Sequence, residues 1–197
     1  MIDEFLCKVY IHLSGRLGLR RLKRNGVRLG QNLRITGLPI VILKPNSSVQ
    51  IGDRVTLCST SYRTELGVNH PVILRTSRNG ASIAIGDDVG ISGASICAST
   101  HISIGTSSLL GANVIIADTD FHPLTKENRR YSKDESSILT EPVHIGSNVF
   151  LGANTIVLKG VTIGDNSVIG AGSVVVKDIP ANCIAAGNPC KMIRPLE

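Results

Sequence analysis

Residues 145–180 read IGSNVF, LGANTI, VLKGVT, IGDNSV, IGAGSV and VVKDIP, six consecutive hexads in one register. Ile145, Leu151, Val157, Ile163, Ile169 and Val175 open them, and Gly146, Gly152, Gly164 and Gly170 follow four of these leaders. The fifth place holds Val149, Thr155, Val161, Ser167, Ser173 and Ile179, mostly small or β-branched. A helix repeats every 3.6 residues and a simple strand every 2, so a strict six is neither alone. Six residues make one short strand plus a bend. The leader points inward onto its neighbours, and glycine takes the bend where a Cβ is costly. Three hexads close a triangular coil, and stacked coils pair as parallel strands about 4.8 Å apart around an aliphatic interior. Residues 145–180 are then two coils of a solenoid.

The pattern extends upstream. Ile85-Gly86, Ile91 and Cys97 keep the register, which slips by one residue before Ile104-Gly105, Leu110-Gly111 and Ile116. Leu29-Gly30, Ile35, Ile51-Gly52 and Leu57 give a fainter start. Composition agrees. The 197 residues include 23 Ile and 17 Val but only three Phe, three Tyr and no Trp, so the core must be narrow and aliphatic. Residues 89–117 lack Asp, Glu, Lys and Arg, yet their Ser, Thr, Asn, Gly and His break any run a membrane helix needs. The N-terminus opens with Asp3 and Glu4, unlike a secretory signal. Five cysteines without CxxC spacing argue for reduced thiols in a cytoplasmic protein, against a disulfide framework or zinc finger. The net charge of +6 suits phosphate-bearing ligands. With so few stacking aromatics, no nucleic-acid partner is expected.

Three segments interrupt the repeat. In residues 1–24, Ile2, Phe5, Leu6, Val9, Leu13 and Leu17 form an apolar stripe at helical steps. Arg16, Arg20, Arg21, Lys23 and Arg24 load the end of this helix with positive charge, which the helix dipole favours. The expectation is a cap on the open first coil, with contact to the face of a membrane as the alternative. Residues 25–197 form the solenoid domain. Residues 60–80 are expected to be irregular. Residues 119–142, with Lys126, Glu127, Arg129, Arg130, Lys133, Asp134 and Glu135, read as a loop insertion of functional size.

Chemistry clusters where that insertion begins, at Asp118-Thr119-Asp120-Phe121-His122-Pro123. In extended geometry Asp118, Asp120 and His122 share one face, and Pro123 restricts His122 to that geometry. An imidazole can take a hydroxyl proton while the oxygen attacks an electrophile, and a carboxylate can hold its tautomer. Asp-x-Asp-x-His is also a possible ligand set for a metal, but His12, His70, His101 and His144 are scattered, and no metal is expected. A nucleophilic cysteine is poorly supported, since Cys97 falls on a leader position that faces the core.

The run from residue 85 onward resembles the hexapeptide-repeat acyltransferases, especially the galactoside and maltose O-acetyltransferase branch. The pieces that match are Phe121-His122-Pro123-Leu124, the segment from Pro142 to Val149, the segment from Gly160 to Ser173, and the tail from Ala186 to Arg194. The resemblance implies a mainly β fold, a left-handed parallel β-helix, although parallel crossovers are otherwise right-handed. It also implies a homotrimer with active sites between subunits, and acetyl-CoA as co-substrate. His122 becomes the catalytic base, with Asp118 or Asp120 orienting it or binding the acceptor. Family positions that contact the cofactor fall on Ala153, Ala171, Val176 and Lys177, with Lys191 and Arg194 where cations meet phosphates. Phe150 stands where the family often has Trp. The galactoside-binding Asn and Asp have no clear counterparts around residues 91–101.

The function expected from this is acetyl transfer to a sugar hydroxyl, in a pathway of surface polysaccharide, by a cytoplasmic enzyme that could work at the inner membrane face. An amino-sugar or antibiotic nitrogen is the alternative acceptor. A zinc hydrase on the same solenoid would need three histidines at a spacing this chain lacks, and a non-catalytic scaffold would have no use for His122.

Overall fold

The computed structural model describes residues 2–125, 127, 129–132 and 134–197, with side chains for all of these except residues 2–5 and 8. Lys126 and Lys133 of the charged insertion, and the side chains of Ile2 and Phe5 of the apolar stripe, lie outside the described residues. A 23-residue helix, α1 (Ile2–Arg24), precedes the solenoid.

The chain then winds six coils of three strands. They are β1 (Arg28–Leu29), β2 (Arg34–Gly37) and β3 (Ile40–Ile42); β4 (Ser48–Ile51), β5 (Thr56–Ser59) and β6 (Ile73–Thr76); and β7 (Ser82–Ile85), β8 (Gly90–Ser92) and β9 (Ser95–Ala98). The upper three are β10 (His101–Ile104), β11 (Leu109–Leu110) and β12 (Ile115–Ala117); β13 (Val143–Ile145), β14 (Phe150–Leu151) and β15 (Ile156–Val157); and β16 (Thr162–Ile163), β17 (Val168–Ile169) and β18 (Val174–Val175). β19 (Cys183–Gly187) begins a seventh turn and folds back antiparallel with β20 (Cys190–Pro195), closing the upper end. Every third strand pairs in parallel, giving three faces: β1 to β16 on the first, β2 to β19 on the second and β3 to β18 on the third.

The core is three aliphatic columns. Ile51, Ile85, Ile104, Ile145 and Ile163 stack in register behind the first face. Leu57, Ile91, Leu110, Leu151 and Ile169 stack behind the second, and Leu74, Ile96, Ile116, Val157 and Val175 behind the third. All are essentially buried. Each contributes about 1.5–3 kcal/mol on leaving water, and no ring would fit where neighbours repeat at the strand spacing.

The glycine after each leader does a different job from the one the sequence suggested. It does not make the bend. The left-handed residue comes two places later, at Asn113, Asn148, Asn154 and Asn166, with φ between 54° and 63°. Asn tolerates that region because its short polar side chain bonds locally; Asn148 Nδ2 donates to Asn166 Oδ1 at 3.0 Å, one coil above. The glycine instead permits close approach between coils. A Cβ on Gly105 would lie 2.5 Å from Gly146 C and Ser147 N, both backbone. Gly105→Ala should therefore push two coils apart and cost about 1–3 kcal/mol, read as a lower denaturation midpoint; an unchanged midpoint would show that the corner can give.

Three expectations need correction. Cys97 faces outward and Ile96 fills the column, because the corner at Gly93 is one residue short, and the following corner, from Ile96 to Ile104, is longer than a hexad allows. Residues 73–76 are a strand, not irregular: Val72, Leu74 and Thr76 are buried and β6 pairs with β9. The described side chains of the apolar stripe of α1, Leu6, Val9, Leu13 and Leu17, face away from the coil. Its packed side is Ile11, Ser14, Gly15, Gly18 and Leu22, laid on the free edge of β2. There Ser14 Oγ accepts from Gly37 N at 3.2 Å, and a Cβ on Gly18 would lie 2.6 Å from Gly37 O.

Candidate functional site

Between β12 and β13 the chain leaves the corner joining the third face to the first. Asp118–Asp120 pair antiparallel with Leu139–Glu141, through a Thr119–Thr140 bridge. Asp120 N donates to Leu139 O at 3.1 Å and Glu141 N to Asp118 O at 3.0 Å, so both ends of the excursion are tied at the coil. Arg78, on the same corner two coils below, ties the returning strand. Its guanidinium donates to Glu135 O, to Ile138 O at 3.1 Å and to Thr140 Oγ1 at 3.4 Å. A cavity of about 140 Å³ lies under this arch, lined by Ser77, Arg78, Ser99, Thr119, Phe121, Glu135 and Ile138. The short 3-10 turn at Glu135–Ser137 is capped by Asp134. Hydrogen bonds from Ser136 hold the Asp134 carboxyl below its usual range.

Asp118, Asp120 and His122 do not share a face. Phe121 adopts φ 61° and His122 N donates to Asp120 O at 2.7 Å, closing a tight three-residue turn. The three side chains have separate surroundings. Asp118 is fully buried, and its carboxylate accepts from Ser99 N at 2.6 Å, Thr100 N at 2.7 Å and Thr100 Oγ1 at 2.8 Å. Asp120 is half-buried, with Oδ1 accepting from Lys159 Nζ at 2.8 Å. Its Oδ2 is buried with no hydrogen-bond partner among the described residues. His122 is exposed at the foot of the arch, beside the buried Pro123.

The residues marked for a cofactor fall in two places. Ala153 and Ala171 stack on the corner between the second and third faces, where the chain runs Gly152-Ala153 and Gly170-Ala171. A Cβ on Gly152 would meet Ala171 N at 2.5 Å, so this edge is smooth backbone and methyl groups. Lys191 pairs with Ala186 at the top of the same corner. Phe150 and Arg194 lie beside it on the second face, in the row Phe150, Val168, Ile184, Arg194. Val176 and Lys177 are on the other corner, above His122 and Lys159, both exposed. The third face separates the two groups within one chain.

Arg78 and Lys159 were not marked by the sequence reading. Lys159 carried a signal. The hexads that turn from the third face to the first have Lys159 and Lys177 at their third place, where the others have Ser147, Ala153, Asp165 and Ala171. Arg78 carried none, since it acts on a loop about sixty residues later. Cys97, half-buried near Ser77, has its thiol pushed up by burial, which leaves less thiolate for nucleophilic work.

Residues 142–177 match the family model described as "Hexapeptide repeat of succinyl-transferase". This is a hexapeptide-repeat chain. Its β-helix is left-handed, as the resemblance implied. The chain is 45% identical over 96 residues to a galactoside O-acetyltransferase of Escherichia coli, covering 49% of this chain and 45% of that protein. It is 46% identical over 98 residues to the galactoside O-acetyltransferase of Lactococcus lactis, covering 50% and 45%. The chain thus spans a little under half the length of these curated relatives. Among solved structures, the polysialic acid O-acetyltransferase OatWY superposes with a TM-score of 0.61 at 26% identity, over 86% of this chain and 82% of that one. The N-acyltransferase AntD from Bacillus cereus, in complex with dTDP and coenzyme A, superposes with a TM-score of 0.70 at 19% identity, over 90% and 88%; that likeness is one of fold.

Proposed function

We propose that the chain is an acyltransferase that moves an acetyl group from acetyl-CoA to a sugar hydroxyl, with His122 as general base. The observation that carries this reading is the exposed imidazole on a tied arch, one turn from a carboxylate with an unpaired oxygen. His122 takes the proton of the acceptor hydroxyl as its oxygen attacks the thioester carbon. The C–S bond then breaks, and the imidazolium returns its proton to the departing thiolate. Asp120 is the carboxylate assigned to orient His122 or hold the acceptor. Asp118 is not, because both its oxygens are already committed to Ser99 and Thr100.

The corner carrying Ala153 and Ala171 fits a pantetheine arm, since its small side chains leave backbone accessible along the coil axis. Lys191 and Arg194 at its upper end suit the phosphates. From Lys191 and Arg194 on β20 to the level of β11 and β12, where His122 leaves its own coil, the arm crosses four strand spacings, about 19 Å. His122 sits on the opposite edge of the third face, so a complete site calls for the arm on one copy and His122 on the next. This supports the homotrimer. The apolar residues Leu109 and Phe150, 53% and 45% exposed on the second face beside that corner, suit burial against such a neighbour.

The sugar acceptor rests on the galactoside and polysialic acid relatives, and work on a surface polysaccharide follows from the same likeness. The test is thiol release from acetyl-CoA against galactosides, oligosialic acids and amino sugars. Release with a hydroxyl acceptor supports the reading. Release with amino sugars alone would make the enzyme an N-acetyltransferase. No acetyl-CoA binding and no release would return the solenoid to the scaffold class.

A further inference from the structure

The outward side of α1 is apolar in its first half and basic in its second. Leu6, Val9, Tyr10, Leu13 and Leu17 are 57%, 38%, 47%, 54% and 50% exposed. They recur at steps of three and four, and so share one side of the helix, which adjoins the Ser14–Gly18 seam packed on β2 and is exposed. Arg20, Arg21 and Arg24 continue the same strip through the last turns, all exposed. With Leu17 and Leu38 they line a cavity of about 660 Å³. Tyr62, 69% exposed, extends the patch by an edge-on contact with Tyr10, ring centroids 5.6 Å apart.

Charge is concentrated at this end of the molecule. From residue 5 to residue 52 the chain has nine Lys and Arg and no Asp or Glu, while its total net charge is only +6, so the remainder is net acidic. A cap needs neither feature. The seam on β2 already covers the strand edge, and five large apolar side chains on the exposed side are held in water at a cost. No helix of the described residues is long and apolar enough to cross a membrane.

We propose that α1 docks the basal end of the solenoid onto an anionic lipid surface, its leucines entering the acyl boundary and its arginines meeting headgroup phosphates. Long arginine side chains can reach the phosphates while their stems stay against apolar surface. The order of the strip, apolar then basic, sets the helix obliquely, with its N-terminal half deeper. A nucleic acid would use the arginines but would leave Leu6, Leu13 and Leu17 in water, so charge and apolarity together favour lipid. The inference is independent of the proposed reaction, because it is read without turnover.

The experiment is flotation of the full chain with vesicles of phosphatidylcholine, alone or mixed with phosphatidylserine. Binding to the mixed vesicles and weakening with added salt are expected. The double substitution Leu13→Ser with Leu17→Ser should abolish binding at unchanged charge. Arg20→Gln, Arg21→Gln and Arg24→Gln together should weaken it roughly 100-fold, from about fivefold for each cation. All of these residues point away from the coil, and circular dichroism with unchanged melting verifies the fold. No flotation with anionic vesicles, equal flotation on phosphatidylcholine alone, or full binding by the leucine variant would overturn the proposal. Tight binding of polyuridylate that ignores the leucine variant would reassign the strip to nucleic acid.

Discussion

His122→Ala should bind acetyl-CoA as the parent does and lose roughly 10²–10⁴-fold in turnover, the usual contribution of a positioned general base. The separation of effects follows from the geometry. His122 is exposed on the arch, whereas the residues proposed to hold the pantetheine arm and phosphates, Ala153, Ala171, Lys191 and Arg194, lie on the far edge of the third face. Calorimetric titration of acetyl-CoA into both proteins, with thiol release followed in parallel, measures the two quantities separately. A variant that turns over like the parent would remove His122 from the chemistry. A variant that loses cofactor binding as well would mean that the imidazole holds the ligand rather than moving a proton. Asp120→Asn gives a second reading of the same site: if Asp120 orients His122, turnover should fall with acetyl-CoA affinity intact. That fall should be smaller than for His122→Ala.

The solenoid was legible because one physical constraint repeats. The leader of every hexad is aliphatic, glycine follows four of the six, and six consecutive hexads from Ile145 declare the period. Where the corner changes length the signal fails. The short corner at Gly93 shifted the apparent leader from Ile96 to Cys97, a displacement of one residue that turns a side chain from core to solvent. The helix failed for another reason. Its seam uses Ser14, Gly15 and Gly18, chosen for closeness to β2 rather than for apolarity, so hydrophobic periodicity pointed to the opposite face. At the candidate site, alternation predicted one face for Asp118, Asp120 and His122, and the left-handed Phe121 overrode it. A bulky residue there is uncommon, and nothing local in the sequence announces it. The contacts of Arg78 with the arch were beyond reach, because they join segments that only the winding of the coil brings together.

Asp118→Ala should be among the most destabilising single substitutions in the chain, through a mechanism unrelated to proton transfer. In a continuing coil, the backbone N–H groups of a corner meet carbonyls of the next, as Ser82 N meets Thr100 O at 2.9 Å. At the arch there is no next corner, because the chain has left, and Ser99 N and Thr100 N lose their backbone acceptors. The Asp118 carboxylate substitutes for them, taking both N–H groups and the Thr100 hydroxyl while fully buried. Removing it strands two donors in the interior, at about 1–3 kcal/mol each, beyond the lost charge-assisted bonds. The total is on the order of 3 kcal/mol or more, which for a chain of this size lowers the melting temperature by roughly 6–12 °C. Asp118→Asn keeps one acceptor oxygen but turns an amide N–H₂ toward a backbone N–H, so an intermediate loss is expected. Thermal melting followed by circular dichroism ranks the three proteins, and a parent-like melt for Asp118→Ala would show that the corner finds other acceptors. Turnover adds a second discriminant. Since the Asp118 carboxylate fixes the corner from which the arch departs, the alanine variant should lose activity together with stability, whereas His122→Ala should lose activity alone.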